Sequence, residues 1–290
     1  MIKQIQNNIS LKELTSFKVG GFAKYFYELR SIEELKSVLK WVNENKLPYF
    51  ILGRGTNLVI SDTGYDGLII HIGKKFEEIK IFENTIKAQA GAMLNTVIKQ
   101  AVENGLGGME KMAGVPGTIG GAVRMNAGAF GQEIEQVCTQ VTSLKTDGTI
   151  VNRNHNKCNF EYRHSLFCDN DEIILEAELR MLKSDYQSLE TIKKETLIQR
   201  KSKQPLEYPN AGSMFKRPTG NYAGTLIEAS GLKGFSVGGA MVSKKHANFV
   251  INKNQATATD IFKLTEEIIA KVKADSGITL EREVIFLGKF

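Results

Sequence analysis

The stretch from Ala113 to Gly131, AGVPGTIGGAVRMNAGAFG, holds six glycines in nineteen residues and a single formal charge, Arg124. No other segment constrains the fold as strongly. Glycine reaches φ > 0 without steric cost and carries no Cβ to hold another group away. A run of such residues serves one of two ends: it aims successive backbone N–H groups at a phosphate, or it makes tight turns between buried strands. Glycine content alone leaves both open. Two common phosphate loops are excluded, because GxxxxGK[ST] is absent and GRGTNL at 53–58 lacks the last glycine of GxGxxG. Whatever binds here does not use a Rossmann fingerprint.

Length and composition bound the rest. The 290 residues, 42% hydrophobic and 24% charged, are enough for one large domain or a few modest ones with proper cores. MIKQIQNNIS at the start has no apolar run of signal-peptide length, and LIIHI at 68–72 is too short to span a bilayer. A cytoplasmic protein with no membrane partner is expected. Cys138, Cys158 and Cys168 are odd in number and lack CxxC spacing, so neither a disulfide framework nor a metal site is indicated. The formal charge of +6 comes from scattered lysines, which suits solvated surface better than a nucleic-acid face.

Periodicity predicts mixed α and β. SIEELKSVLKWVNENK places Leu35, Val38, Leu39 and Val42 at helical spacing, and Ser31 with Glu34 forms a candidate capping box. YFILGRGTNLVI (49–60) and GLIIHI (67–72) read as strands with turns at Gly53, Gly55 and Gly64. TIKAQAGA (85–92) alternates like a strand, and Leu94, Val97, Ile98, Ala101 and Val102 mark a helix ending at Gly105. VTSLKTDGTI and EIILEAELRML read as sheet, followed by the polar helix DYQSLETIKKETLIQRK, which stops before Pro205. ANFVIN as strand, a helix through Ile261, Leu264, Ile268 and Val272, and a last strand in EVIFLG complete the chain. Pro205 and Pro209 mark a domain boundary.

Several stretches, in order along nearly the whole chain, resemble the UDP-N-acetylenolpyruvoylglucosamine reductase family, also called UDP-N-acetylmuramate dehydrogenase. They are SFKVGGFAKYF (16–26), ILGRGTNLVISDTGYDGLII (51–70), the glycine run, YRHS (162–165), NAGSMFKRP (210–218), AGTLIEASGLKGFSVGGAMVSKKHANFVIN (223–252) and EREVIFLG (281–288). The resemblance implies an α+β fold: a two-part FAD-binding region of the vanillyl-alcohol oxidase and p-cresol methylhydroxylase type, then an α+β substrate-binding domain. The corresponding divisions are 1–72, 73–203 and 204–290, with the last strand packing back on the FAD-binding region. The absence of a large insertion after YRHS resembles the shorter subtype without a tyrosine-bearing loop. A monomer is expected.

By the same resemblance, FAD is held non-covalently by Gly53, Arg54, Gly55, Thr56, Asn57, Ser61, Gly114, Pro116, Gly117, Thr118, Gly120, Gly121, Asn126 and Gly128. None of the four histidines lies in the glycine loops, where a covalent flavin link would sit. Read from the residues alone, Asn57, Ser61 and Asn126 fit a cofactor contact or a turn bonding its own backbone equally well. The activity implied is reduction of UDP-N-acetylglucosamine enolpyruvate, with NADPH as hydride donor, in peptidoglycan precursor synthesis. Hydride addition to the enolpyruvyl methylene carbon pushes charge into the carboxylate, so the site needs cationic or hydrogen-bonding groups there and an acid for the adjacent carbon. The family motifs put Ser213 as proton donor, Arg163 at the carboxylate and Glu283 in the polar cluster. Lys216, Arg217, His246 and Asn248 are the expected substrate contacts. Two departures stand out: Arg217 where the family commonly has asparagine, and Ile285 where it has arginine. Arg282 falls on the opposite side of the strand by alternation. Two rival classes share part of the pattern. One is another flavin oxidase or dehydrogenase of the superfamily, which has no need of an enolate-protonating set. The other is a non-catalytic nucleotide-binding protein, whose flavin NADPH would not reduce rapidly.

Overall fold

The computed structural model describes residues 4–290, and the chain divides into two compact units, each assembled from separated stretches. Both mix helix and strand, as the α+β reading expects.

The first unit draws mainly on Tyr27–Arg54 and Ile69–Arg200. Its centre is an antiparallel sheet with strands in the order Ile150–Asn154, Cys138–Leu144, Ile173–Arg180, Thr85–Gln89 and Ile79–Phe82. A row of partners, Arg153, Val141, Ala177, Ala88 and Ile79, crosses all five. The small Ala177 and Ala88 in mid-row allow another element to approach closely, and the short helix Ile119–Arg124 lies against their strands. Gly120 N donates to Ala90 O at 2.9 Å. A Cβ at Gly120 would stand 2.9 Å from the Ala90 Cβ and 3.2 Å from its carbonyl oxygen. The glycine run is therefore not purely a series of turns: its middle is helical, and Gly120 is needed for packing.

Local expectations in this unit are largely met. The helix Ile32–Glu44 buries Leu35, Val38, Leu39 and Val42, and Ser31 Oγ accepts from Glu34 N at 3.2 Å. The other half of the capping box differs: the Glu34 carboxylate accepts from Tyr27 Oη at 2.7 Å, a side chain in the strand just before the helix. The helix Leu94–Glu103 ends ahead of Gly105, which has φ +66°. The polar helix Tyr186–Lys203 buries only Leu189, Thr196 and Arg200.

The second unit comprises Gln6–Phe26, Gly55–Leu68 and Lys201–Phe290. Its core joins Phe17, Val19 and Val59 from the early chain to Met214, Phe215, Ile227, Val242, Val250, Ile261, Leu264, Ile268, Val272 and Val284. Strand Gln6–Ser10 pairs antiparallel with the start of Phe22–Glu28; its residues are almost all exposed, so no alternation marked it in the sequence. Strand Leu58–Ile60 pairs parallel with Ile285–Leu287 near the chain end. The helix Ala258–Ser276 has a capping box between Thr257 and Asp260 and stops at Gly277, φ +74°. Asp62 adds a tertiary cap, accepting from Ala258 N and Thr259 N at 2.9 Å each and from Thr259 Oγ1 at 2.7 Å. Among the described residues no helix is long and apolar enough to cross a membrane.

Candidate active site

In the first unit the two predicted cofactor segments meet. A Cβ at Gly53 would lie 2.9 Å from Thr118 Oγ1, so backbone and hydroxyl are in close approach. Thr118 is buried, caps the Ile119–Arg124 helix and accepts from Gly121 N at 3.4 Å. Gly114 and Gly117 sit at φ +82° and +134° in the approach to it. Asn95, which the sequence reading missed, ties this approach down: its Oδ1 accepts from Gly114 N at 2.7 Å and its Nδ2 donates to Val115 O at 2.9 Å. A polar residue in the first turn of an amphipathic helix was the only signal for it. Gly121 has an open side, since the nearest atom to an added Cβ is Thr118 Oγ1 at 3.7 Å. No side chain between Ala113 and Gly121 is charged. Gly114 N, Val115 N, Ile119 N, Gly120 N and Gly121 N all donate to protein acceptors, so what this small, neutral surface offers the diphosphate of a dinucleotide is room at Gly121 and the backbone of Gly117 and Thr118. Arg54 is exposed, and Pro116 lies exposed before Gly117.

Asn126, Gly128 and Arg163 form a second cluster in this unit. Asn126 is fully buried at φ +39°; its amide donates to Glu161 O at 3.0 Å and to Glu133 Oε2 at 3.3 Å and accepts from Glu135 N at 3.1 Å. Its side chain thus bonds the protein through residues well outside its own turn. Arg163, at φ +56°, donates from Nη2 to Gly128 O at 3.0 Å, pairs through Nη1 with Glu133 at 3.5 Å and stacks 4.9 Å from the Tyr162 ring. A non-glycine residue held in the left-handed region is a strained position that the surrounding bonds must maintain. Burial pushes the Glu133 carboxyl above its ordinary pKa, against the pull of Arg163. Glu133 was not among the residues expected from the sequence.

Two further shifts in this unit come from burial: the Cys138 and Cys158 thiols are pushed up to about 12 and about 11. Both thiols are free, and among the described residues no group of His, Cys, Asp and Glu is arranged to hold a metal ion.

In the second unit, Ser213 and Glu283 are brought onto paired segments. Phe215 and Arg282 form an antiparallel bridge, Glu283 N donates to Met214 O at 2.9 Å, and Lys216 N donates to Glu281 O at 2.9 Å. Both Ser213 and Glu283 are half-buried. Asn57 reaches the same place: its Nδ2 donates to Glu283 O at 3.2 Å and its main-chain O accepts from Ile285 N at 3.0 Å. Asn57 therefore supports the Glu283 segment with its side chain. Gly55, at φ +58°, is packed on the Leu14 carbonyl, and Thr56 is half-buried beside it. Ser61 is buried, with its hydroxyl donating to Lys289 O at 2.5 Å and sharing a bond with Thr63 Oγ1 at 2.9 Å. That hydroxyl makes a turn and anchors the chain end.

The expected substrate contacts divide. Lys216 is ion-paired with Glu281 at 2.5 Å, and Arg217 is exposed, stacked 4.9 Å from the exposed Tyr222 ring. His246 accepts at Nδ1 from Asn248 N at 3.2 Å and stands edge-on to Phe249, and burial holds its pKa below the ordinary value. Asn248 is 7% exposed, and its carboxamide bonds both backbone groups of Phe215, so it faces the Ser213 segment from within the protein. Arg282 departs from nothing expected: its guanidinium lies over the Phe262 and Phe286 rings and bonds Thr265.

Residues 23–154 match the FAD binding domain family model, and residues 204–287 match the model of the UDP-N-acetylenolpyruvoylglucosamine reductase C-terminal domain. The chain is similar to the UDP-N-acetylenolpyruvoylglucosamine reductase of Clostridium novyi (strain NT), 41% identical over 287 residues that cover 99% of this chain and 93% of that one. The enzyme of the same name from Clostridium tetani is 42% identical over 287 residues, with the same coverages of 99% and 93%. A crystal structure of UDP-N-acetylenolpyruvylglucosamine reductase from Thermus caldophilus superposes with a TM-score of 0.84 at 31% identity, covering 98% of this chain and 99% of that one.

Proposed function

The chain belongs to the UDP-N-acetylenolpyruvoylglucosamine reductase family, and on that premise we propose that it reduces UDP-N-acetylglucosamine enolpyruvate to UDP-N-acetylmuramate with NADPH as cosubstrate. Membership makes it an FAD-containing oxidoreductase. The proposed setting is peptidoglycan precursor synthesis in the cytoplasm, by a monomer divided into FAD-binding parts 1–72 and 73–203 and a substrate-binding domain 204–290.

FAD, when bound, supplies a carrier that accepts hydride from one partner and yields it to the next. We assign its non-covalent diphosphate contacts to the backbone at Gly53, Gly117 and Thr118 and to the open face of Gly121. The remaining chemistry belongs to side chains. Hydride arriving at the methylene carbon leaves an enolate whose charge spreads into the carboxylate, and the Arg163 guanidinium, oriented by Gly128 O and Glu133, stabilises that charge. Ser213 Oγ delivers the proton to the adjacent carbon, which is basic enough to take it from a hydroxyl. Glu283 completes the polar surroundings. The observation that supports this reading best is the bonding of Glu283 N to Met214 O, which joins two motifs far apart in the sequence at one place.

Anaerobic stopped-flow tests it. The purified protein should be yellow, release its flavin on acid precipitation, bleach with NADPH and recolour with the enolpyruvyl substrate. In Ser213→Ala, bleaching should stay near normal while recolouring falls by about 10² to 10⁴-fold, the usual loss for a positioned general acid. Slow bleaching with normal recolouring would remove Ser213 from the role.

A further inference from the structure

Ser213 is useful as an acid only if its hydroxyl is held within hydrogen-bond reach of the carbon it protonates, about 2.6–3.2 Å between heavy atoms. It belongs to no helix or regular strand, so something else must fix it. The following two residues are held from one side by a single amino acid. Asn248 Oδ1 accepts from Phe215 N at 3.0 Å, Asn248 Nδ2 donates to Phe215 O at 2.9 Å, and Asn248 O accepts from Met214 N at 2.7 Å. From the other side, Glu283 N donates to Met214 O at 2.9 Å. Ahead of Ser213, Gly212 N donates to Asn210 Oδ1 at 2.9 Å.

We infer that Asn248 is a positioning residue for Ser213, an inference that rests on the proton-donor reading above. A carboxamide carries a donor and an acceptor in one plane, which matches the N–H and C=O of one extended residue. Buried as it is, the bracket sets the backbone just beyond Ser213, and the bond of Glu283 N to the same Met214 ties the bracket to the segment that bears Glu283 and leads into the strand Ile285–Leu287. The charged and titratable groups around it are His246, whose Nδ1 accepts from Asn248 N, Glu283, and the Lys216–Glu281 pair. Asparagine is required here because neither leucine nor an ionised aspartate of similar size makes both bonds.

Asn248→Asp provides the test. Near neutral and alkaline pH its carboxylate accepts from Phe215 N but offers no donor to Phe215 O. Burial raises the pKa of such a group, so acidification returns an O–H that restores the second bond. Bleaching by NADPH should stay near the wild-type rate. Recolouring by the enolpyruvyl substrate should fall about 10²-fold at the alkaline end, the scale of a 1 Å misplacement, and recover relative to wild type on acidification. Asn248→Leu should be slow at every pH, and the Phe215 amide, protected from hydrogen exchange in the unaltered protein with or without flavin, should lose protection in it. Wild-type recolouring in Asn248→Asp, equal slowing of both half-reactions, or a defect independent of pH overturns the inference. So does an unprotected Phe215 amide in the unaltered protein, a measurement that stands even where a variant fails to fold. Slow recolouring in Ser213→Ala with normal recolouring in the Asn248 variants overturns the positioning role alone; normal recolouring in Ser213→Ala overturns the proton-donor reading itself.

Discussion

Gly121→Ala separates what the fold asks of the glycine run from what a cofactor asks. Gly121 is exposed in the first turn of the helix Ile119–Arg124, and an added Cβ would meet only Thr118 Oγ1, at 3.7 Å. Alanine exceeds glycine by about 0.8–1.0 kcal/mol in a helix interior, and a position near the end of a six-residue helix keeps roughly half of that. The flavin-free protein should therefore become slightly more stable. The same methyl enters the open side assigned to the diphosphate, where an extra group against a packed partner costs on the order of 1–3 kcal/mol, about five- to 150-fold in Kd. Gly120→Ala is the counterpart. Its Cβ would stand 2.9 Å from the Ala90 Cβ and 3.2 Å from Ala90 O, neither of which can rotate away. Overpacking of about 1–3 kcal/mol there outweighs a propensity gain of at most about 1 kcal/mol, so the fold itself is destabilised. Circular dichroism melts of the flavin-free proteins and FAD titration by fluorescence quenching measure both quantities. Unchanged FAD affinity in Gly121→Ala refutes the assignment of the open face to the cofactor, and an unchanged melt in Gly120→Ala refutes the packing argument.

Asp62→Ala removes three bonds at the start of the helix Ala258–Ser276 and should lower stability by about 0.5–2 kcal/mol, as loss of a helix cap does; faster amide exchange through Ala258–Lys263 reports it, and unaltered exchange contradicts the capping role. Arg217→Ala should raise KM for the UDP-sugar with NADPH bleaching unchanged, because a contact common to ground and transition states is lost; constant KM means the guanidinium does not reach the substrate. His246 is held below its ordinary pKa by burial, so the unfolded chain binds the extra proton first as pH falls. Stability should then be flat above about pH 6.5 and decline below it, and urea titrations of His246→Gln should show a smaller decline over that window; an equal decline assigns it elsewhere.

What the sequence determined by itself was local and chemical. Spacing of Leu35, Val38, Leu39 and Val42 marked a helix because a helix of period 3.6 with one apolar stripe is decided within a few turns. Gly105 marked a helix end because only the left-handed region closes it cheaply, and motif order carried the family. Tertiary structure decided what depends on distant partners. The exposed strand Gln6–Ser10 exists through pairing rather than pattern. Gly120 owes its identity to Ala90. Asn248, expected at the substrate, instead grips the backbone beside Ser213. A side chain's donors and acceptors are fixed by its type, but which groups they meet is fixed only when stretches such as Phe17, Val59 and Val284 collapse into one core.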